Sequence, residues 1–171
     1  TIEMIDPIRY ISNQSSGKQG YEIASQLALN GGKVILISGP TKLEPPPNVK
    51  FIKIKSAEEM YKKINKISKI DFGFFTAAVS DFKNIKIQKL KIKKRKSLNL
   101  NLIKNIDILK KIGNSKNQRP KFLVGFAAET GSIASARNKL KNKNCDMIIY
   151  NKISKENQVF DSDYNKISII S

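Results

Sequence analysis

Apolar and polar positions at the start of the chain follow first a helical and then a strand period. Apolar residues recur at helical spacing after Gly17, and Asn30-Gly31-Gly32 ends this predicted helix. The apolar run 33–38 has the length of a buried strand and stops at Gly39-Pro40. Helix, tight turn and buried strand are one half of a βαβ unit, so we expect a fragment that begins just after the opening strand of that unit.

Strand and helix patterns continue to alternate along the rest of the chain. Predicted strands fall at 49–55, 71–76, 97–102, 122–126 and 146–150, and predicted helices fall at 57–67, 105–112 and 133–144. Ser56-Ala57-Glu58-Glu59 is typical of a capping box, and a hairpin-like extension at about 158–160 and 166–170 ends the chain. This alternation predicts one α/β domain over residues 1–171, three-layered and Rossmann-like, with a mostly parallel sheet flanked by helices.

The opening loop, residues 6–20, is rich in hydroxyl, amide and glycine residues and leads directly into the first predicted helix. Backbone N–H groups and the positive end of the helix dipole meet at such a junction, which attracts phosphate or carboxylate. Arg9 adds a planar guanidinium for an anion, and Asn13 offers both a donor and an acceptor. The loop matches neither the P-loop pattern nor G-x-G-x-x-G, and a plain connector with an N-cap is the alternative.

Small or polar stretches follow several of the predicted strands. They are Ala77–Asp81, Ala127–Thr130 and Asn151, and the opening loop joins them if its expected strand exists. In open parallel sheets, ligands bind beyond the carboxyl ends of the strands. These stretches therefore predict one active site at that edge of the sheet.

The absence of histidine limits the chemistry that an active site could use. Without histidine the chain has no Ser-His-Asp or Cys-His nucleophile, no histidine zinc site and no histidine base. Catalysis would depend on Asn, Lys, Arg, Asp, backbone amides and a metal held by phosphates. The single cysteine, Cys145, excludes an internal disulfide and fits a reducing cytoplasm, and no apolar run approaches the ~18 residues of a membrane span.

The formal net charge of +18 has three competing explanations. A genome rich in A/T codons would raise Lys, Ile and Asn together and leave the lysines as solvated charges. An anionic small-molecule ligand or a polynucleotide would instead use the charge for binding. Positive charge is dense at Lys83–Lys96, where like charges repel, so we expect a flap that is mobile when no anion is bound.

Eight short motifs occur in order along the chain. They are Thr1-x-Glu3-x-x-Asp6-Pro7-x-Arg9, Ile11-Ser12-Asn13-x-Ser15-Ser16-Gly17-Lys18-x-Gly20, Ser38-Gly39-Pro40, Ala77-Ala78-Val79-x-Asp81, Lys91-Ile92-Lys93-Lys94, Lys104-Asn105-x-Asp107-Ile108-Leu109, Gly125–Thr130, and Asn151 with Phe160-x-Ser162-Asp163-x-Asn165. In these motifs the chain resembles phosphopantothenoylcysteine synthetase, the ligase half of the bacterial bifunctional coenzyme A biosynthesis protein. The resemblance covers essentially the whole chain, with Ile2 where the family commonly has Arg and Ile106 where it has Pro.

The resemblance implies a ligase that joins 4′-phosphopantothenate to L-cysteine in coenzyme A biosynthesis. CTP is the implied co-substrate: the substrate carboxylate attacks its α-phosphate, pyrophosphate leaves, and cysteine then displaces CMP from an acyl-cytidylate. Mg²⁺ is implied as well, because it bridges phosphate oxygens without a dedicated protein cage. The resemblance also implies a cytoplasmic homodimer that acts on small molecules, without nucleic-acid or membrane partners, and FMN only if a longer chain carries a decarboxylase domain.

The same resemblance implies which residues form the site. Asn13 would handle the acyl-cytidylate, Arg9 would lie near the phosphopantothenate, and Lys91 would close with the flap on the triphosphate. No protein residue is implied as a metal ligand. The implied CTP contacts are Thr76, Ala77, Asp81, Lys91, Asn105, Ile106, Asp107, Ile108, Phe126, Lys139 and Lys143. Lys139 and Lys143 lie four residues apart on one predicted helix, so both can face one anion.

Two other functions are open from the sequence. An NAD(P)-dependent oxidoreductase with a Rossmann-like sheet would need G-x-G-x-x-G and an acidic residue at the end of the second strand, where this chain has Ser38-Gly39-Pro40. A basic nucleic-acid-binding module would interleave aromatic residues with its lysines, and Lys83–Lys96 contains none. Strong binding to duplex DNA that weakens steeply with salt would favour this second alternative.

Overall fold

The computed structural model describes residues 1–94, 96–130, 132–153 and 165–171. Its strands are β1 (Ile2–Met4), β2 (Tyr10–Ser12), β3 (Val34–Ser38), β4 (Val49–Lys53), β5 (Phe72–Phe75), β6 (Phe82–Asn84), β7 (Leu102–Lys104), β8 (Phe122–Glu129), β9 (Met147–Lys152) and β10 (Ile167–Ile170). Its helices are α1 (Lys18–Leu29), α2 (Ala57–Ile64), α3 (Ile108–Gly113) and α4 (Ile133–Lys143). The predicted alternation of strands and helices is present.

Parallel strand pairs form the framework of the fold. β8 pairs in parallel with β5 on one side and with β9 on the other, and β10 adds an antiparallel edge, giving the order β10-β9-β8-β5. β3 and β4 form another parallel pair, and β1–β2 and β6–β7 are short antiparallel ribbons. Mostly parallel pairing with flanking helices confirms the predicted α/β fold.

Helices α1 and α2 begin and pack as the sequence pattern predicts. The buried Tyr21 of α1 faces β4, with its ring centroid 6.4 Å from that of Phe51. Ser56 caps α2, because its Oγ accepts the backbone N–H of Glu59 at 3.2 Å. The Glu59 carboxylate accepts the N–H of Lys55 at 2.8 Å, one residue before the N–H that a capping box uses. A cap of this kind stabilises a helix by ~0.5–2 kcal/mol.

Two apolar clusters hold α2, α3 and α4 in place. The first joins α2 to α3 and has the buried members Ile54, Ala57, Met60, Ile64, Ile108 and Ile112. The second packs α4 on β8, β9 and β10 and has the buried members Ala127, Ala136, Ile148, Tyr150 and Ile170. α3 and α4 meet at Gly113, where an added Cβ would lie 1.9 Å from the carbonyl oxygen of Lys143. This close backbone approach requires glycine.

Two predicted boundaries near the opening loop and α3 are wrong because side chains redirect the backbone. Residues 10–12 are not loop: they form β2 and pair with β1, because Asp6 accepts two backbone N–H groups and closes the turn between them. The helix predicted from residue 105 begins at Ile108. Asn105 stays outside it because its side-chain amide donates to the carbonyl of Ser80 at 3.0 Å.

Other predicted boundaries shift with the available strand partners. Residues 97–101 are irregular although their apolar and polar positions alternate as in a strand. Among the described residues no sheet covers one face of this segment, so Leu98 is 46% exposed. β8 and β9 run further than predicted, through 129 and 152, because they pair with each other there. α2 ends at Ile64 rather than at 67. Of the predicted C-terminal hairpin, β10 pairs with β9, and 158–160 lie outside the described residues.

Candidate active site

A cavity of about 190 Å³ lies between the opening loop, the end of β3 and the turn that follows β5. Most of its lining comes from three segments: residues 12–20, residues 38–41 and Thr76–Ala78. These segments lie at the carboxyl ends of parallel strands or at the start of α1. That is the edge of the sheet where the sequence predicts a ligand.

Asn13 joins the opening loop to the turn that follows β5. Its Nδ2 donates to the backbone carbonyl of Val79 at 3.1 Å, and Asn13 and Ala77 line the same cavity. The side chain is exposed. An amide nitrogen carries two hydrogens, so the second hydrogen and Oδ1 can contact a ligand in the cavity.

The first turn of α1 lies directly beside this turn. An added Cβ at Gly20 would be 2.6 Å from the Oγ1 of Thr76, so the helix approaches Thr76 closely. Gly17, the N-cap of α1, has a φ of +83° and contributes no capping side chain. An anion in the cavity can therefore approach the N–H groups and the positive dipole end of the helix.

Arg9 and the flap are held together by the buried carboxylate of Asp6. The Nη1 of Arg9 donates to Asp6 Oδ2 at 2.7 Å and to the carbonyl of Ile92 at 3.1 Å. The N–H of Ile92 donates back to Asp6 Oδ2 at 3.1 Å. Burial alone would raise the pKa of Asp6, but backbone N–H groups of Ile8, Ile92 and Arg9 and the Arg9 charge outweigh it and lower the pKa to about 2. Lys91 is next to this contact and is exposed.

Asn105 connects the segment before α3 to the turn that follows β5. Its side-chain Nδ2 donates to the carbonyl of Ser80, and its backbone N–H donates to the carbonyl of Asp81 at 2.7 Å. Its Oδ1 accepts the N–H of Ile106 at 2.9 Å. Asn105 is 7% exposed, so these contacts fix the backbone that follows it.

Asp107 and Lys143 extend this connected region to α4. Asp107 caps α3 by accepting the N–H of Lys110 at 3.0 Å, and its other oxygen accepts a hydrogen bond from the ammonium of Lys143. Burial raises the pKa of Asp107, but the Lys143 and Lys110 contacts outweigh it and lower the pKa below its ordinary value. Hydrogen bonds and ion pairs therefore connect Asn13, the turn that follows β5, the segment before α3 and Lys143 of α4.

Three of the residues implied as nucleotide contacts have protein partners in this structure. Lys139 pairs with Glu129, whereas Lys143 pairs with Asp107. The side chain of Ile108 is in the apolar core at 3% exposure, so only its backbone could reach a ligand.

Phe126 is not among the residues that line the cavity, but the strand register places it near the cavity. Phe75 pairs with Gly125 in the parallel β5–β8 pair, so the next positions, Thr76 and Phe126, are neighbours at the end of β5. The side chain of Phe126 is half-buried.

Sequence reasoning missed the roles of Asp6 and Glu129 in orienting cations. Asp6-Pro7-x-Arg9 carries an Asx-turn signal, because aspartate before proline commonly bonds the backbone that follows, and this could have indicated the turn. No local pattern pairs Glu129 with Lys139, since that contact depends on how α4 packs on β8.

The described residues contain no cluster of three or more Asp, Glu or Cys side chains that could hold a metal ion. In the part of the chain that the structure describes, no helix is long and apolar enough to cross a membrane.

The profile of one protein family, the DNA/pantothenate metabolism flavoprotein C-terminal domain, matches residues 1–171. The chain belongs to this family. It is similar to the coenzyme A biosynthesis bifunctional protein CoaBC of Haemophilus influenzae, at 44% identity over 172 residues, 99% of this chain and 42% of that protein. The protein of the same name from Borreliella burgdorferi is also 44% identical, over 100% of this chain and 44% of its own length. The chain therefore spans less than half the length of these relatives.

Solved structures of the family have the same fold. The crystal structure of the C-terminal domain of coenzyme A biosynthesis bifunctional protein CoaBC is 33% identical, with a TM-score of 0.78 over 100% of this chain and 81% of that one. The DNA/pantothenate metabolism flavoprotein from Streptococcus pneumoniae is 21% identical, with a TM-score of 0.80 over 99% and 88%. The second likeness supports the fold alone.

Proposed function

We propose that this domain joins 4′-phosphopantothenate to L-cysteine with CTP as the energy source, as a step of coenzyme A biosynthesis. Membership of the family and relatives named for coenzyme A biosynthesis support the pathway. One structural observation carries the proposal for this chain: the exposed amide of Asn13 is fixed against Val79 at a cavity lined by Ala77 and the start of α1. The proposed chemistry needs a fixed neutral donor beside an anion site.

The proposed reaction has two steps. A carboxylate oxygen of 4′-phosphopantothenate attacks the α-phosphorus of CTP, the bond to the β-phosphate oxygen breaks, and pyrophosphate leaves. The amine of cysteine then attacks the acyl carbon, the C–O bond to CMP breaks, and the amine nitrogen loses a proton to solvent. An α-amino group has a pKa of ~8, so the neutral amine is available near pH 7 in a chain without a histidine base.

In this proposal the protein positions anions and stabilises developing charge. Asn13 donates to the acyl oxygen as that oxygen becomes negative, Arg9 binds an anionic group of the substrate, and Lys91 closes on the phosphates. A charged hydrogen bond contributes ~1.5–3 kcal/mol, so a triphosphate needs several such groups.

We propose that the nucleotide lies next to Asn13, between the turn that follows β5 and the segment that precedes α3. Thr76, Ala77 and Phe126 border it on one side, and the segment Asn105–Asp107 with Lys143 borders it on the other. Asp81, Ile108 and Lys139 complete the implied set. Mg²⁺ would be held through the phosphates. A homodimer, a cytoplasmic location, and FMN in a decarboxylase domain of a longer chain stay predictions from the resemblance.

The proposal is tested by following pyrophosphate while one substrate at a time is left out. With 4′-phosphopantothenate, cysteine and Mg²⁺, we expect CTP to give phosphopantothenoylcysteine, CMP and pyrophosphate, and ATP to give much less. Omitting 4′-phosphopantothenate should abolish pyrophosphate release. Absence of product with every nucleotide, from protein that is folded by circular dichroism, would overturn the proposal.

A further inference from the structure

Asp6 is a buried charge that the proposed mechanism does not use. Its side chain is 0% exposed and its carboxylate accepts four hydrogen bonds. Oδ1 accepts the backbone N–H groups of Ile8 and Arg9, both at 2.9 Å, and so builds the turn between β1 and β2. Oδ2 accepts the Arg9 guanidinium and the N–H of Ile92, which is 86 positions further along the chain. The two oxygens therefore serve two different purposes.

The Asp6–Arg9 pair binds both backbone polar groups of Ile92. Its N–H donates to the carboxylate, and its carbonyl accepts from the guanidinium. Hydrogen bonds to ionised partners are roughly twice as strong as neutral ones. The N–H of Ile92 lies in the peptide group that it shares with Lys91, and its carbonyl lies in the peptide group that it shares with Lys93. Neither peptide group can turn without breaking its contact, so the orientation of Lys91 and Lys93 is restricted.

A second contact fixes the flap to the same turn. The N–H of Gln88 donates to the carbonyl of Ile5 at 2.9 Å. Between the anchors Gln88 and Ile92 the chain forms an arch, at which Leu90 is 82% exposed. The arch carries Lys91 at the end that adjoins the Asp6 contact. The sequence predicts a flap that is mobile without a bound anion, because its like charges repel. The structure differs, because these contacts dock residues 88–92 and the buried carboxylate supplies the opposite charge.

We propose that Asp6 is a positioning residue that holds the guanidinium of Arg9 and the backbone of the Lys91–Lys94 segment as one unit before substrate binds. The kinetic part of this inference rests on the proposed function, because it assigns Lys91 a place against the phosphates. The tethering part does not depend on any activity. Asp6 itself touches neither substrate nor nucleotide.

The substitution Asp6→Asn separates the two purposes of the carboxylate. The asparagine Oδ1 still accepts the N–H groups of Ile8 and Arg9, whereas an NH₂ group replaces Oδ2 and meets the donors of Arg9 and Ile92. We expect the amide hydrogen of Ile92 to exchange about tenfold faster or more by NMR, while that of Ile8 is unchanged. Asp71→Asn, at an exposed aspartate paired with Lys121, is the matched control and should leave Ile92 unchanged.

Kinetics test whether the tether acts through Lys91. Asp6→Asn should lower kcat/KM for CTP about tenfold or more, and its effect should be smaller in the Lys91→Ala background than in wild type, because only the part that acts through Arg9 remains. If the fold losses of the two single variants simply multiply in the double variant, the assignment is overturned, even if the ligase proposal holds. Unchanged exchange at Ile92, or equal acceleration at Ile8 and Ile92, would also overturn it, whether or not the protein is a ligase.

A second variant covers the case in which Asp6→Asn does not fold. Ile92→Pro removes the same hydrogen bond from the flap side and leaves the turn at Asp6 intact. Faster amide exchange at Gln88, the other anchor of the arch, whose N–H donates to the carbonyl of Ile5, is then the expected result. Unchanged exchange at Gln88 would overturn the inference.

Discussion

The side chain of Asn13 and the carbonyl of Val79 are joined by a hydrogen bond of 3.1 Å across 66 positions of sequence. This contact brings the opening loop to the carboxyl end of β5, where Ala77 and the first turn of α1 line the same cavity. One amide hydrogen is used for orientation, and the second hydrogen and Oδ1 can contact a ligand in the cavity that Asn13 lines. A fixed donor at this position is the basis for the proposed role of Asn13.

Substitution of Asn13 by alanine should abolish most of the proposed ligase activity without unfolding the protein. We expect kcat to fall by ~10²–10³-fold, because a fixed donor to a developing oxyanion is lost. The free energy of unfolding in urea should fall by only ~1 kcal/mol, the contribution of one hydrogen bond. Asn117→Ala, at an exposed asparagine beyond α3, is the control and should leave both quantities unchanged. Normal turnover in Asn13→Ala would remove the residue from the mechanism.

Substitution of Lys91 by alanine should slow the reaction while the fold stays intact. The expected loss is ~10–100-fold in kcat/KM for CTP, because a charged contact to the phosphates disappears. Lys89→Ala changes another exposed lysine of the same arch and controls for the general loss of positive charge. Equal effects of the two substitutions would mean that only the net charge of the flap matters.

The pair Asp107–Lys143 should contribute separately to stability and to nucleotide binding. Asp107→Ala removes the N-cap of α3 and should lower the free energy of unfolding by ~1 kcal/mol. Asp107→Asn retains a capping oxygen but not the charge that holds Lys143, so we expect most of that stability to remain while the KM for CTP changes. Lys143→Ala should raise the same KM. If neither Asp107→Asn nor Lys143→Ala alters the KM for CTP, the nucleotide lies elsewhere.

The depressed pKa of Asp6 predicts a specific dependence of stability on pH. The pKa is about 2 in the folded protein against an ordinary value of 3.8, so the ionised carboxylate stabilises the fold above about pH 4. This contribution disappears as the pH falls from about 4 to about 2. In urea unfolding, the difference in stability between wild type and Asp6→Asn should therefore shrink over that window. A difference that does not vary with pH would contradict the assigned ionisation.

Cys145 should react slowly with alkylating reagents in the folded protein. Burial raises the pKa of its thiol to about 11, with a further contribution from the neighbouring Asp146. At pH 8 only about 0.1% of the thiol would then be ionised, and the thiolate is the reactive form. Labelling with iodoacetamide should be at least ~100-fold faster in urea than in buffer. Similar rates in the two conditions would show that the thiol is accessible and ionised in the fold.

Local patterns were sufficient to predict most helices and the buried strands. The helix over α1, the strand at β3 and the cap of α2 by Ser56 follow from residue spacing and capping chemistry alone. The fold class follows from their alternation. Family membership supports the same architecture.

Contacts between distant segments set the features that the sequence did not predict. Asp6 creates β2 by closing a turn, and Asn105 delays the start of α3 by bonding Ser80. Lys139 and Lys143 share a helix face in the sequence, but each finds its own carboxylate in the folded chain. These partners come from elements far apart in sequence, so periodicity carries no information about them.

The transfer of an oxygen atom tests the proposed acyl-cytidylate most directly. 4′-Phosphopantothenate labelled with ¹⁸O in its carboxylate is incubated with CTP, cysteine and the protein, and CMP is analysed by mass spectrometry. If the carboxylate attacks the α-phosphorus, one labelled oxygen must appear in CMP for each molecule of product. Unlabelled CMP formed together with product would contradict the account.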